Sequence, residues 1–166
     1  MVSGFPWGAS NLNFVFLRYS DIILLKAEAL IEQNKDLDGA RALINMIRTR
    51  AAESVDPFYS PVDVNPTIST YRVGEYGSAG WTQDYARKAV RMERRLELAM
   101  EGHRWFDLVR WGNTKAHMEA YQKQETPEAQ AHLATFIEGK HELFPIPSEE
   151  IILNDALQAS DQNPGY

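Results

Sequence analysis

The stretch RKAVRMERRLELAMEGHRWFDLVRWG, residues 87–112, decides how the rest of the chain is read. It contains no proline, and from Tyr85 onward Ala89, Met92, Leu96, Ala99 and His103 recur at alternating steps of four and three. This spacing predicts a long helix whose apolar stripe faces a core. At roughly 100° per residue, Glu93, Arg94, Glu97, Glu101 and Arg104 share a second face. A charged helix face is ordinarily a solvated one. Here Trp105, Phe106, Leu108, Val109 and Trp111 follow within two turns, so nearby charges lose water and need partners. The expectation is a structural Arg/Glu network, with Arg94 and Glu97, and Glu101 and Arg104, at contact spacing along the helix. Gly102 is expected to kink this helix and Gly112 to end it.

Upstream, Phe14 to Ile31 is apolar over more than one face, which predicts a helix buried on several sides. After a polar turn at Asn34 to Asp38, Ala40, Leu43, Ile44, Ile47 and Ala51 outline a second helix folding back on the first. The hairpin, residues 14–52, resembles a single tetratricopeptide repeat. A lone repeat leaves its stacking face bare, and the helix after Thr82 is the local candidate to cover it. Residues 53–81 hold three prolines and three glycines and read as a long loop, with a short strand possible over Thr67 to Val73. Its aromatics are of two minds chemically. Tyr59, Tyr71, Tyr76 and Trp81 could stack on sugar rings while Asp, Asn and Arg bond the hydroxyls. The stronger reading of Tyr71, Tyr76 and Trp81 is that they anchor the loop to the helices.

Downstream, Thr82 is the expected cap of the long helix, and a further helix is expected from Asn113 to Gln124, so that residues 82–125 form one helical section. Thr126-Pro127-Glu128 starts another, expected to run through Ala131, Leu133, Phe136 and Ile137. HELFPIP is extended because each proline disfavours helix at the residue before it. Ser148 is expected to cap a short helix, SEEIILN, within a packing segment of residues 126–166.

Three stretches carry a resemblance. ERRLELAMEGHRWFDLVRWG, with FLRYSDIILLKAEALIEQNKDLDGARALINMIRTRAA before it and HELFPIPSEEIILNDALQASDQNPGY after it, resembles the SusD/RagB family of surface glycan-binding lipoproteins. Arg94, Glu97, Glu101, Gly102, Arg104, Asp107, Arg110 and Trp111 match the family motif. The resemblance implies structural roles for them, including an ion network of Arg94, Glu97, Glu101, Arg104, Asp107 and Arg110. It further implies non-enzymatic capture of oligosaccharide at the outward face of the outer membrane, beside a SusC-like TonB-dependent transporter. Family members are held by a lipid on a cysteine, and this sequence has none; it reads as the C-terminal portion of such a protein.

Composition narrows the alternatives. The 166 residues carry a net charge of -6, which disfavours general nucleic-acid binding. Residues 87–110 hold seven Arg/Lys against four acids, whereas residues 119–166 hold nine acids against two lysines. Without cysteine there is no thiol nucleophile, thiolate site or disulfide, and no apolar run approaches the ~20 residues of a membrane span. Glu138 to His141 spaces two metal-ligand types, but Gly139 and the prolines beyond it disfavour a rigid helical site, and no metal or cofactor is expected. No HExxH, nucleophile elbow or Walker loop is present. Glu97 and Glu101 could be taken for a glycosidase pair, yet flanking arginines would keep both ionised, where a general acid needs a raised pKa. The expectation is an all-α, SusD-like, non-catalytic fold with Tyr76, Trp81, Tyr71 and Tyr59 as candidate ligand residues. A repeat-type protein adaptor is the alternative, and a glycoside hydrolase the third reading.

Overall fold

The structure is a computed structural model that describes residues 15–53 and 73–166. The regular elements among its described residues are all helices, with no strand. The expected Thr67 to Val73 strand falls outside the described residues except at Val73, which lies in no regular element. The chain divides into two compact units between Arg104 and Trp105.

In the first unit, α1 (Tyr19–Glu32) and α2 (Leu37–Glu53) form the expected hairpin, and α3 (Gln83–Glu97) packs against both. The turn is fixed by its own chemistry. Asn34 takes the left-handed conformation, φ 51°, while the Asn34 N–H bonds Ile31 O at 3.0 Å and the Lys35 N–H bonds Leu30 O at 3.4 Å. These two bonds satisfy the last carbonyls of α1 in a Schellman arrangement. Asp36 then caps α2, its Oδ1 accepting from the Gly39 N–H at 2.7 Å. Ile23, Leu24, Ala27 and Ile31 of α1 meet Ala40, Ile44 and Ile47 of α2, and Ala86 and Val90 of α3 close the core. The small residues Ala27, Ala40 and Ala86 at these contacts let the helix axes approach closely. The face a lone hairpin would leave bare is thus filled by α3.

Two expectations about this unit change. The apolar stripe does not face the core: Tyr85 and Met92 are about half exposed and Leu96 is 59% exposed, and of the six only Ala89 is buried. The buried side of α3 is Ala86, Ala89, Val90, Glu93 and Arg94. Apolar periodicity locates a core-facing side only where the core is apolar throughout, and here its far end is ionic. Likewise, of the helix expected from Phe14, Phe14 itself lies outside the described residues and α1 begins at Tyr19, covered on one side by α2 and α3, leaving Phe16 81% exposed and Leu17, Tyr19 and Ile22 outward.

The expected single helix over residues 87–112 is broken. Thr82 caps α3 through the Tyr85 N–H at 3.3 Å, but α3 stops at Glu97, and Met100 (φ 66°) and Gly102 (φ 82°) turn the chain before α4 (His103–Arg110). A non-glycine residue in the left-handed region cannot continue a right-handed helix.

In the second unit, Gly112 (φ 64°) ends α4, with Gly112 N–H to Val109 O at 3.0 Å and Asn113 N–H to Leu108 O at 3.2 Å, a second Schellman turn. α5 (Thr114–Gln124) follows as expected. Thr126 caps α6 through the Ala129 N–H at 3.3 Å, yet α6 is only Pro127–Gln130, so Ala131, Leu133, Phe136 and Ile137 lie outside it. α7 (Ser148–Leu153) has Pro147 at the cap position, and Ser148 is its first helical residue rather than its cap. The tail clamps the segment before α7. Gln162 exchanges bonds with the Ile146 N–H (2.8 Å) and O (2.9 Å), Asn163 donates to Phe144 O at 2.6 Å, and the Tyr166 hydroxyl donates to Leu143 O at 3.0 Å.

Candidate functional site

Two features of the first unit carry chemistry: an ionic seam and a polar groove. The seam begins where the apolar core ends. Arg94 of α3 meets Asp21 of α1 at 2.6 Å with side chains 3% and 6% exposed. Arg48 of α2 reaches Glu93 at 2.8 Å, and Arg50 reaches Glu97 at 2.5 Å. Arg18, just before α1, bonds Glu97 at 2.5 Å and also its carbonyl oxygen, and holds both oxygens of Glu101 at 2.7 and 2.8 Å. The network expected along one helix therefore draws its partners from α1, α2 and the residue preceding α1. Asp107 and Arg110 do pair three residues apart, at 2.9 Å, and Arg104 is half-buried.

This geometry speaks to catalysis. The Arg18 guanidinium bonded to Glu101 holds its carboxyl below the usual carboxylate value of 4.5. A carboxyl held ionised cannot serve as the general acid of glycoside hydrolysis. The charge that fixes it is Arg18, eighty-three positions away, and not a neighbour on the helix.

The groove runs between the outer face of α2 and the segment 73–81. Its volume is about 510 Å³, and Asp38, Arg41, Asn45 and Thr49 from α2 face Glu75, Tyr76 and Ser78. Helical periodicity puts 38, 41, 45 and 49 in one row. The opposite wall is tied down at both ends. Asn45 accepts from the Tyr76 N–H (2.8 Å) and donates to Tyr76 O (3.0 Å), Arg48 bonds Gly74 O, and the Trp81 Nε1–H donates to Leu37 O at 2.8 Å. The rings of Tyr76, Trp81 and Tyr85 pack mutually, with centroids 5.5 to 6.1 Å apart. Burial raises the Tyr76 hydroxyl above its ordinary pKa.

Of the candidate ligand residues, Tyr76 lines the groove, and Trp81 sits behind it in the ring cluster, packed on the core. Tyr59 and Tyr71 lie outside the described residues. Sequence reasoning passed over Asp38, Arg41, Glu75 and Ser78. The signal available was the polar row 38, 41, 45, 49 on α2, which looks like any solvated helix face until a second wall stands opposite. In the second unit, the Glu138 and His141 pair is engaged within the fold. Glu138 lies 3.4 Å from Lys115, and His141 Nδ1 accepts from the Ile137 N–H at 2.9 Å. Among the described residues no three metal-ligating side chains converge.

Comparison with known proteins gives a consistent result. The model of the SusD family matches residues 7–166. Two proteins of Formosa agariphila, SusD-like protein P2 and SusD-like protein P25, are 29% and 31% identical over 95% and 93% of this chain, which spans 26% and 25% of their lengths. The crystal structure of a SusD homolog from Bacteroides thetaiotaomicron superposes with a TM-score of 0.68 at 34% identity, covering 95% of this chain and 28% of that one. A SusD-like protein from Bacteroides fragilis superposes with a TM-score of 0.57 at 26% identity, over 93% and 26% of the two chains. The chain thus spans about a quarter of the length of the relatives it matches.

Proposed function

Since the chain belongs to the SusD family, we propose that it forms part of a non-enzymatic oligosaccharide-capture protein at the outward face of the outer membrane. In this reading a SusC-like TonB-dependent transporter takes up what is captured. In the same reading, attachment to the membrane is through a lipid anchor. No described helix is long and apolar enough to cross a membrane.

The match of residues 7–166 to the family carries the reading, and the groove supports it. A rigid wall, one aromatic edge and a row of charged and hydroxyl groups suit a ligand rich in hydroxyls. Tyr76 is the proposed contact from the aromatic cluster and Trp81 its support. The seam residues Arg94, Glu97 and Glu101 are proposed to be structural, as are Arg104 and the Asp107–Arg110 pair.

Calorimetric titration of the folded chain with a panel of oligosaccharides, followed by chromatography of the sugars, tests this. Saturable binding with the sugars recovered intact is the expected result. Cleavage products would make the protein an enzyme, and a folded chain that binds no sugar would remove the site from these residues.

A further inference from the structure

We propose that the α2 groove is a subsite for a neutral oligosaccharide, held through its hydroxyls by Arg41, Glu75 and Ser78 rather than by stacking on an aromatic face; the inference rests on the oligosaccharide-capture reading above.

The ring faces are already engaged. The Arg48 guanidinium lies 4.7 Å from the Tyr76 centroid, Trp81 packs at a tilt 5.5 Å away, and Tyr85 meets Tyr76 edge to face at 6.1 Å. What the groove offers a sugar is hydrogen-bonding capacity. Arg41 gives Asp38 a bond at 3.0 Å, and a guanidinium has five N–H donors in a planar fork. Glu75 accepts the Thr49 hydroxyl at 2.7 Å on one oxygen, and the other oxygen is an acceptor for a ligand. Ser78 adds a hydroxyl able to donate or accept. A guanidinium and a carboxylate on opposite walls match adjacent sugar hydroxyls, each of which both donates and accepts.

The wall that carries Glu75 and Ser78 is preformed, because Asn45 bonds the Tyr76 backbone in both directions and Trp81 is pinned to Leu37. A ligand therefore does not bear the entropy cost of ordering it. Charge selects the class of sugar. Arg41 and Asp38 neutralise each other, the nearby Arg48 is matched to Glu93, and Glu75 is held by a neutral hydroxyl. The excess in the groove is one negative charge, which repels sulfate esters and uronates and leaves neutral sugars unaffected.

The test is calorimetry of the whole chain with neutral oligosaccharides, each beside its sulfated derivative, on the wild type and on Arg41→Ala, Glu75→Gln and Ser78→Ala. The neutral sugar should bind about tenfold more tightly than its sulfated form, and Arg41→Ala or Glu75→Gln should each weaken it by about tenfold. Glu75→Gln should also narrow the gap between the two sugars. Unchanged affinity in all three variants would place the sugar elsewhere on the chain and overturn the groove while leaving capture intact. Tighter binding of the sulfated form would overturn the charge argument. A folded wild type that binds neither sugar would overturn the groove and remove the capture site from these residues.

Discussion

Replacing Asp21 by leucine tests whether the ionic seam is a structural element or a surface feature. The carboxylate and Arg94 lie 2.6 Å apart with side chains 6% and 3% exposed, so neither can recover water when its partner goes. Removing Asp21 deprives the buried Arg94 guanidinium of a carboxylate partner, a loss of about 3–5 kcal/mol. Replacing both, as Asp21→Leu with Arg94→Met, removes the charges together and should restore most of that loss, because apolar groups of similar volume substitute for buried pairs at little cost. The coupling between the two sites is then at least about 2–3 kcal/mol. Urea unfolding followed by far-ultraviolet circular dichroism measures the cycle. In thermal melts, at about 2–4 °C per kcal/mol for a chain of this size, the single variant should melt roughly 10 °C below the wild type. A single-variant loss under about 1 kcal/mol, or a double variant as unstable as the sum of the singles, would refute the reasoning: the pair would be hydrated and would contribute little to holding α3.

Acid should weaken the fold through the carboxylates that arginines hold down. Glu101 and Glu32 both have folded pKa values below 4.5, caused first by bonds from Arg18 and Arg87. Their contribution is full above the unfolded value and is lost as pH falls through the lower folded one; Arg18→Met should remove the Glu101 part of this dependence, measured by urea unfolding across acidic pH. Gly112→Ala should cost about 1 kcal/mol and Gly112→Asn less, since φ is 64° and a Cβ there meets no atom within 4 Å, which isolates the backbone term. Trp81→Phe keeps the ring packing but loses the bond to Leu37 O, for a loss of about 1 kcal/mol in a urea titration.

Most of the fold is legible in the sequence where a local rule suffices. Thr82 and Thr126 cap the helices they precede, Gly112 ends α4, and Ile44 and Ile47 face the core from the side that spacing assigns. What is not legible depends on residues far apart in the chain. Met92 and Leu96 have the right spacing for a core stripe, yet α3 turns Glu93 and Arg94 inward because Arg48 and Asp21 wait there. No local count can find Arg18 opposite Glu101. The break after Glu97 was half visible, since Gly102 announces a kink, but the left-handed Met100 has no sequence signature. The same limit governs the site. Tyr76 and Trp81 stand out as aromatics in a loop, whereas Arg41 and Glu75 become a pair only when the two walls of the groove are brought together.

The most direct test is a map of backbone amide shifts by nuclear magnetic resonance as a neutral oligosaccharide is added to the folded chain. The account predicts saturable shifts concentrated in residues 38–49 and 74–78, the two walls of the groove. Shifts confined to residues 105–166, or none at sugar concentrations that saturate other binders of its class, would contradict it.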